Sequence, residues 1–264
     1  MKWLVVLIAL SLPAFADPVS SYTTIGTGGV SGPVANFSNS SFAWADNTGG
    51  VNASTLSSTY GYGVFQDGSS YGTGSLLLSN PFTVSAGSTL SVNFSLFTSQ
   101  NPMCQCDYGF GVLLQNSHLV AVLGASRMDG IGLVGAFGPF PFTIFAGPSA
   151  GVSTTITNDP SLAFPHTTLG SQTYGTLFDT RSCNTFPCVT EITSTYAPAA
   201  GTYQLLFGSF SAFDAPPQHA ASAIAVKSVQ VPEGPAIEYI ALALLAIGGI
   251  CLKKRFAPVQ VSRS

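Results

Sequence analysis

The sequence predicts an all-β fold, namely a jelly-roll-like β-sandwich ectodomain followed by one C-terminal transmembrane helix. Three observations support this prediction. Short stretches in which apolar and polar residues alternate fill the middle of the chain. Glycines and prolines separate these stretches, as turn residues separate the strands of a sandwich. One long apolar run stands near the C-terminus and is followed by three cations.

Residues 1–16 predict a cleaved signal peptide. Lys2 provides a short basic region, and an apolar stretch covers residues 3–12, which is too short to span a bilayer. Ala14 and Ala16 are small residues at the −3 and −1 positions of a cleavage site. We therefore expect cleavage between Ala16 and Asp17.

Residues 17–231 predict the β-sandwich ectodomain. Its clearest strand covers residues 89–97, where leucine, valine and phenylalanine at 90, 92, 94 and 96 alternate with serine and asparagine. Period-two alternation is typical of a strand that is buried on one face. No long 3.6-residue periodicity appears in this part. We expect a polar turn at 115–117, a long loop at 130–148, and further strands at 41–45, 60–65, 75–84, 108–114, 119–124, 152–157, 189–196, 202–213 and 223–231.

The charge of this region excludes one class of partner. Residues 17–231 contain three cations (Arg127, Arg181 and Lys227) and nine carboxylates, which gives a net charge of −6. Nucleic-acid binding requires clustered lysine and arginine, so we expect no nucleic-acid partner. A weakly charged surface rich in serine, threonine and asparagine is compatible with neutral polysaccharide or protein neighbours.

Four cysteines lie in the predicted ectodomain, and Cys251 lies in the C-terminal apolar run. An even number in an oxidising compartment favours disulfides, with three possible connectivities. Cys183 and Cys188 can close a small loop, Cys104 and Cys106 would form a strained ring, and pairing between the two clusters is the competing arrangement. A zinc site built from both pairs is a further alternative, which the lack of a paired-histidine motif disfavours.

No pattern of catalytic residues stands out. Glycoside hydrolysis requires two facing carboxylates, but Glu191 is the only glutamate in residues 17–231 and we expect it on a solvated strand face. His118, His166 and His219 are far apart in the sequence, and we expect all three at the surface. No G-x-S-x-G motif occurs. We expect a non-catalytic protein with no metal and no cofactor.

One cluster of aromatic residues has two interpretations. The rings could form a face on which sugars stack, or they could fill the core, which we favour. The residues concerned are Tyr60, Tyr62, Phe65 and Tyr71.

The C-terminal segment has three consecutive parts. A Pro-Glu-Gly-Pro sequence precedes the apolar run 236–252, in which Glu238 is the only charge. As a helix this run would span roughly 25 Å, near the lower limit for crossing a bilayer. Three cations follow it and predict a cytoplasmic side, with residues 256–264 as a short cytoplasmic tail. A buried core helix is the alternative.

This order of parts behind a signal peptide resembles the PEP-CTERM sorting signal of Gram-negative bacteria. In that family a membrane-embedded exosortase recognises a Pro-Glu-Pro box, and the proteins are associated with exopolysaccharide and biofilm matrix. The box matches Pro232, Glu233, Gly234 and Pro235, where the glycine displaces the second proline by one position. The transmembrane helix matches residues 236–252, and the basic stop matches Lys253, Lys254 and Arg255.

The middle of the chain resembles a β-sandwich subgroup of the same family that carries no assigned activity. The resemblance covers roughly residues 40–255, and its landmarks are Phe82, Gly87, Leu90, Asp107, Tyr108, Cys183, Cys188, Tyr196, Gly201, Tyr203, Phe207, Gly208 and Asp214.

Together the two resemblances imply a protein that is exported across the inner membrane, anchored by one helix, and processed by an exosortase. They imply a final place at the cell surface or in the extracellular matrix. An ordinary single-pass anchor that is never cut is the alternative for the C-terminus. A carbohydrate-binding module acting in extracellular polysaccharide is the alternative function.

Overall fold

A computed structural model of the chain describes residues 22–33, 40–62, 72–98, 107–127, 148–158, 167–169, 172–174, 189–211 and 222–231. All of them belong to one compact unit, Phe15–Pro232. They form two antiparallel sheets that pack face to face, with one helix against the outside of one sheet. The predicted all-β sandwich is therefore confirmed. The predicted signal peptide and the predicted helix 236–252 lie outside the described residues.

The described strands are short to medium in length and pair in antiparallel fashion. They are β1 (Tyr22–Ile25), β2 (Gly28–Ser31), β3 (Phe42–Asp46), β4 (Val51–Asn52), β5 (Thr73–Ser79), β6 (Phe82–Val84), β7 (Leu90–Thr98), β8 (Asp107–Gln115), β9 (His118–Arg127), β10 (Ser153–Asn158), β11 (Thr167–Leu169), β12 (Gln172–Tyr174), β13 (Val189–Tyr196), β14 (Gly201–Ser211) and β15 (Ser222–Gln230).

Strand order differs strongly from chain order. The seven-stranded sheet runs β1-β5-β14-β8-β9, with β4 added to β5 and β6 added to β14. The six-stranded sheet runs β10-β13-β7-β15-β3-β2, so β7 and β15 are central. A separate hairpin consists of β11 and β12. The chain therefore passes repeatedly from one sheet to the other, and the two sheets enclose a shared core between them.

The first core lies between the two sheets and contains the strand face predicted from alternation. Leu90, Val92 and Phe94 of β7 are fully buried there. They meet side chains of the seven-stranded sheet, among them Leu205 and Phe207 of β14. Residue Leu96 continues the same face, so the predicted period-two pattern of this strand is confirmed.

The second core lies on the other side of the seven-stranded sheet. Leu76 of β5 points into it, whereas the next residue, Leu77, points into the first core. On β14, Leu206 likewise points into the second core and Phe207 into the first. These strands bury both faces, and for this reason they contain consecutive apolar residues rather than an alternating pattern.

Helix α1 (Ala53–Tyr60) covers part of this second core. It corrects the prediction of a strand at 60–65 for the described residues 60–62, which are not in a strand, whereas residues 63–65 lie outside the described residues. The Asn52 side chain caps the helix by accepting a 2.8 Å hydrogen bond from the backbone N–H of Ser54. Gly61 ends it in the left-handed region at φ 66°. Ala53, Leu56 and Tyr60 form its buried face. Among the described residues, no helix has the length and apolar character needed to cross a bilayer.

The predicted strand 75–84 is also corrected, because it forms two strands. β5 ends at Ser79 and β6 begins at Phe82, with Pro81 between them. Proline has no N–H to donate to a ladder. The Ser79 hydroxyl compensates at the break, since it accepts a 2.8 Å hydrogen bond from the N–H of Leu205 and donates one of 2.9 Å to the Asn80 carbonyl.

The sheets are joined at one side by hydroxyl groups. Leu123 lies on β9, the margin of the seven-stranded sheet, and its carbonyl accepts two hydrogen bonds from the six-stranded sheet. Ser194 of β13 donates one at 2.7 Å, and Thr154 of β10 donates the other at 2.8 Å. Both residues therefore point inward, and their neighbours along each strand point outward.

Candidate functional site

Most residues that the sequence predicts to have a role lie outside the described part of the chain. The structure therefore tests none of these predictions. They concern the sorting motif (Pro232, Glu233, Gly234, Pro235), the basic stop (Lys253, Lys254, Arg255), the signal cleavage site (Ala16, Asp17) and the cysteines (Cys104, Cys106, Cys183, Cys188, Cys251).

The described residues contain no cluster of metal ligands. Within the nine described ranges, no three side chains of His, Cys, Asp or Glu lie together so that they could hold a metal ion. His118 begins β9 and is exposed, as predicted. His166 and His219 are outside the described residues.

Two of the four candidate sugar-stacking aromatics belong to the core. Tyr60 and Tyr62 are buried in the second core, and the ring centroid of Tyr62 lies 4.8 Å from that of Phe110. Burial raises the pKa of both tyrosine hydroxyls. The preferred interpretation of these two residues as core is confirmed, whereas Phe65 and Tyr71 lie outside the described residues.

The outward face of the six-stranded sheet carries the most distinctive group of polar side chains. Leu90, Val92 and Phe94 point into the first core, so Ser91 and Asn93 between them point outward. The same alternation applies to β10 and β13. We call this surface the polar face; it comprises Ser91, Asn93, Ser153, Thr155, Thr157, Glu191, Thr193, Thr195, Lys227 and Gln230.

Strand register aligns these side chains in rows. Thr155 of β10 is paired with Thr193 of β13, which is paired with Asn93 of β7. A parallel row contains Ser153, Thr195 and Ser91. Neighbouring strands are about 4.8 Å apart and alternate residues along a strand are about 7 Å apart. The polar face is consequently a regular grid of hydroxyl, amide and carboxylate groups.

A hydrogen-bonded cluster occupies the centre of the grid. The Asn93 amide Nδ2 donates to Glu191 Oε1 at 2.6 Å and to Thr193 Oγ1 at 3.0 Å. Lys227 Nζ donates to Glu191 Oε2 at 3.2 Å, with 18% of the lysine and 29% of the glutamate side chain exposed. A bulge in β15 between Val226 and Ser228 brings Lys227 to this position.

The polar face is open at one end and covered at the other. Thr155 and Thr157 of β10 are exposed, and so is Gln230. Further along β7, Ser95 and Phe97 point to the same side but are buried. The Asn93 Oδ1 and Ser95 Oγ atoms are buried and have no hydrogen-bond partner among the described atoms.

The sequence predicts only part of this site. Glu191 was expected on a solvated strand face with threonine neighbours, and it lies on such a face in β13. Asn93 and Lys227 were not predicted as its partners. They are separated from it by 98 and 36 residues, and only the strand order brings the three together.

Comparison of the chain with protein-family models, with curated proteins and with solved structures gives no match.

Proposed function

We propose that the chain is an exported, surface-anchored and non-catalytic protein, sorted by a PEP-CTERM/exosortase-type system. Its proposed place is the cell surface or an exopolysaccharide or biofilm matrix. The observation that carries the proposal is the order of parts in the sequence at residues 232–255, behind a predicted signal peptide at residues 1–16. An apolar run of membrane length followed at once by three cations favours a membrane stop over a soluble core helix.

The end of the folded unit supports the proposal. β15 ends at Gln230, and Val231 still packs against the first core. The Pro-Glu-Gly-Pro sequence begins at the next residue, Pro232. A cut within that sequence would leave every described strand intact, so processing would be compatible with a folded sandwich.

The finer features of the predicted fold belong to the same proposal. We infer a jelly-roll-like sandwich, which the repeated passage of the chain between two antiparallel sheets supports. We also infer that residues 236–252 form the transmembrane helix, and that an exosortase-type membrane protease is the processing partner.

Intact-mass measurement of the protein recovered from the cell surface tests this function. We expect a mass that lacks residues 1–16 and the segment after about residue 233. The double variant Pro232→Ala with Glu233→Ala should retain the C-terminal segment, whereas the control Gln230→Ala should be processed normally. Recovery of wild-type protein with a complete C-terminus would leave the uncut single-pass anchor and refute the sorting proposal.

A further inference from the structure

We propose that the polar face binds neutral polysaccharide. The proposal gives the function a ligand class and a location on the body. It rests on the proposed function only in that a matrix protein meets extracellular polysaccharide. The structural grounds are the charge, the hydrogen-bonding groups and the rigidity of this face.

The charge of the polar face favours a neutral ligand. Its two ionic side chains are Glu191 and Lys227, and they pair with each other at 3.2 Å. The remaining side chains of the face are uncharged. An anionic polymer requires clustered cations, and the only cation of this face is already paired with a carboxylate.

The hydrogen-bonding groups of the polar face match those of a sugar. Hydroxyl groups both donate and accept, and the exposed Thr155 and Thr157 present such groups on β10. The Thr193 hydroxyl accepts from Asn93 and still has its own hydrogen to donate. Protein partners commonly dock through apolar and aromatic anchors, and the polar face contains none.

The centre of the polar face is held in place before any ligand arrives. Asn93 fixes both Glu191 and Thr193, and Lys227 holds the second oxygen of Glu191. β7 and β13, which carry three of these residues, are themselves paired on both sides within the sheet. Groups that are already ordered lose less conformational entropy on binding.

The shape of the polar face suits an extended chain better than a single sugar. Its rows repeat across β10, β13 and β7. Individual contacts are therefore weak, and retention depends on many contacts along one polymer. Polymers rather than monosaccharides are the appropriate probes.

Affinity gel electrophoresis of the purified full-length chain in mild detergent tests the proposal. The gels contain dextran, hydroxyethylcellulose or galactomannan as neutral polymers, and alginate as the anionic comparator. We expect retardation by at least one neutral polymer and none by alginate. Absence of retardation by all three neutral polymers, or retardation by alginate alone, would overturn the proposal.

Matched variants locate the binding. Thr155→Lys with Thr157→Lys places two long cations on the polar face and should weaken retention by about tenfold or more. Thr23→Lys with Thr83→Lys adds the same charge at exposed positions of β1 and β6 and should change retention by less than about twofold. Equal retention by the two double variants would overturn the assignment of the site.

A milder variant guards against misfolding. Thr193→Ala removes one hydroxyl without adding charge, and we expect about threefold weaker retention with an unchanged circular dichroism spectrum and a small fall in melting temperature from the lost Asn93 hydrogen bond. Unchanged retention by this variant, together with normal folding, would count against the polar face. The gel assay does not depend on processing of the C-terminus. A negative gel result would therefore refute polysaccharide binding but not the sorting proposal, and an uncut C-terminus would refute sorting but not polysaccharide binding.

Discussion

The ring of Phe94 meets the ring of Phe207 edge to face across the first core, with centroids 5.3 Å apart. The contact joins β7 of one sheet to β14 of the other. Gly111 of β8 lies beside both rings, and a Cβ atom there would come within 2.8 Å of Phe207 Cε1 and 3.1 Å of Phe94 Cε1. The aromatic contact between the sheets therefore requires a residue without a side chain at position 111.

Gly111→Ala should destabilise the protein by about 1–3 kcal/mol, because the added methyl overpacks two buried rings. Urea unfolding followed by circular dichroism measures the change. Gly32→Ala is the control, since a Cβ at Gly32 has no atom within 4 Å, and its effect should be close to zero. Equal stability of the two variants would contradict the packing described for Phe94 and Phe207.

Asn93→Asp should make stability depend on pH in the range where carboxylates titrate. The new carboxylate would face Glu191 at the position where the Asn93 amide now donates at 2.6 Å. Two adjacent carboxylates raise the pKa of one of them in the folded state above its value in the unfolded state. The free energy of unfolding of the variant should thus be closest to that of wild type below about pH 4, and it should fall as pH rises towards 7.

Denaturant titrations of wild type and Asn93→Asp at pH 4 and pH 7 test this expectation. We expect the stability difference to be larger at pH 7 by about 1 kcal/mol or more. Asn93→Ala is the control, because it removes the same amide donor without adding a carboxylate, so its effect should change with pH less than that of Asn93→Asp. A difference for Asn93→Asp that stays constant between the two values would show that Glu191 does not face position 93.

Buried tyrosines should make the protein unfold at alkaline pH. Burial raises the pKa of Tyr22 and Tyr62, whereas unfolded tyrosine titrates near pH 10. Above that pH the unfolded state loses protons that the folded state retains. Above about pH 10 the free energy of unfolding should therefore fall by about 1.4 kcal/mol per pH unit for each such tyrosine. Below about pH 9 tyrosine ionisation should not change it. Tyr62→Phe should reduce the slope of the unfolding free energy against pH by about 1.4 kcal/mol per pH unit, the contribution of one tyrosine. Denaturant titrations between about pH 9 and pH 11 measure this slope, and an equal slope for variant and wild type would contradict the prediction.

The turn between β8 and β9 should be improved by glycine. Asn116 and Ser117 both have positive φ, at 52° and 63°, as in a type I′ hairpin turn. Asparagine tolerates this region, but serine is strained there. Ser117→Gly should raise the free energy of unfolding by about 0.5–1 kcal/mol, as measured by thermal or urea unfolding. Ser117→Ala should give no such gain, and a gain of equal size would exclude the conformational explanation.

The sequence predicts strands best where one face is buried. The alternation from Leu90 to Leu96 matches a strand whose second face is polar. The run Leu76–Leu78 was also recognised as strand, but its consecutive leucines did not reveal that a second core covers the outside of this sheet. Recognition of that core requires knowledge of what packs on each face, which a single strand does not contain.

The helix and the first two strands were missed for different reasons. Asn52 and Gly61 are typical capping residues, and the buried Ala53, Leu56 and Tyr60 have helical spacing. The segment was too short and too rich in serine and threonine for the pattern to stand out. β1 (YTTI) and β2 (GGVS) are four residues each, which is too short for an alternating pattern to be distinguished from chance.

The polar face was predictable in character but not in arrangement. The threonine-rich sequence around Glu191 indicated a solvated strand face. The partners of Glu191 depend on the register of β13 against β7 and on the bulge in β15, and neither is encoded locally. Register between distant strands is set by the packing of the whole sandwich.

The position of β15 has a mechanical consequence. The strand leads directly to residue 231 and is hydrogen-bonded on one side to β7 and on the other to β3. Tension applied through the C-terminal segment would reach the body through a strand held by two neighbours. The ladder with β7 extends to Gln230 and the ladder with β3 covers Ala223–Val226, so complete extraction must break both, and the attachment resists pulling more strongly than one through β2, which is paired on one side.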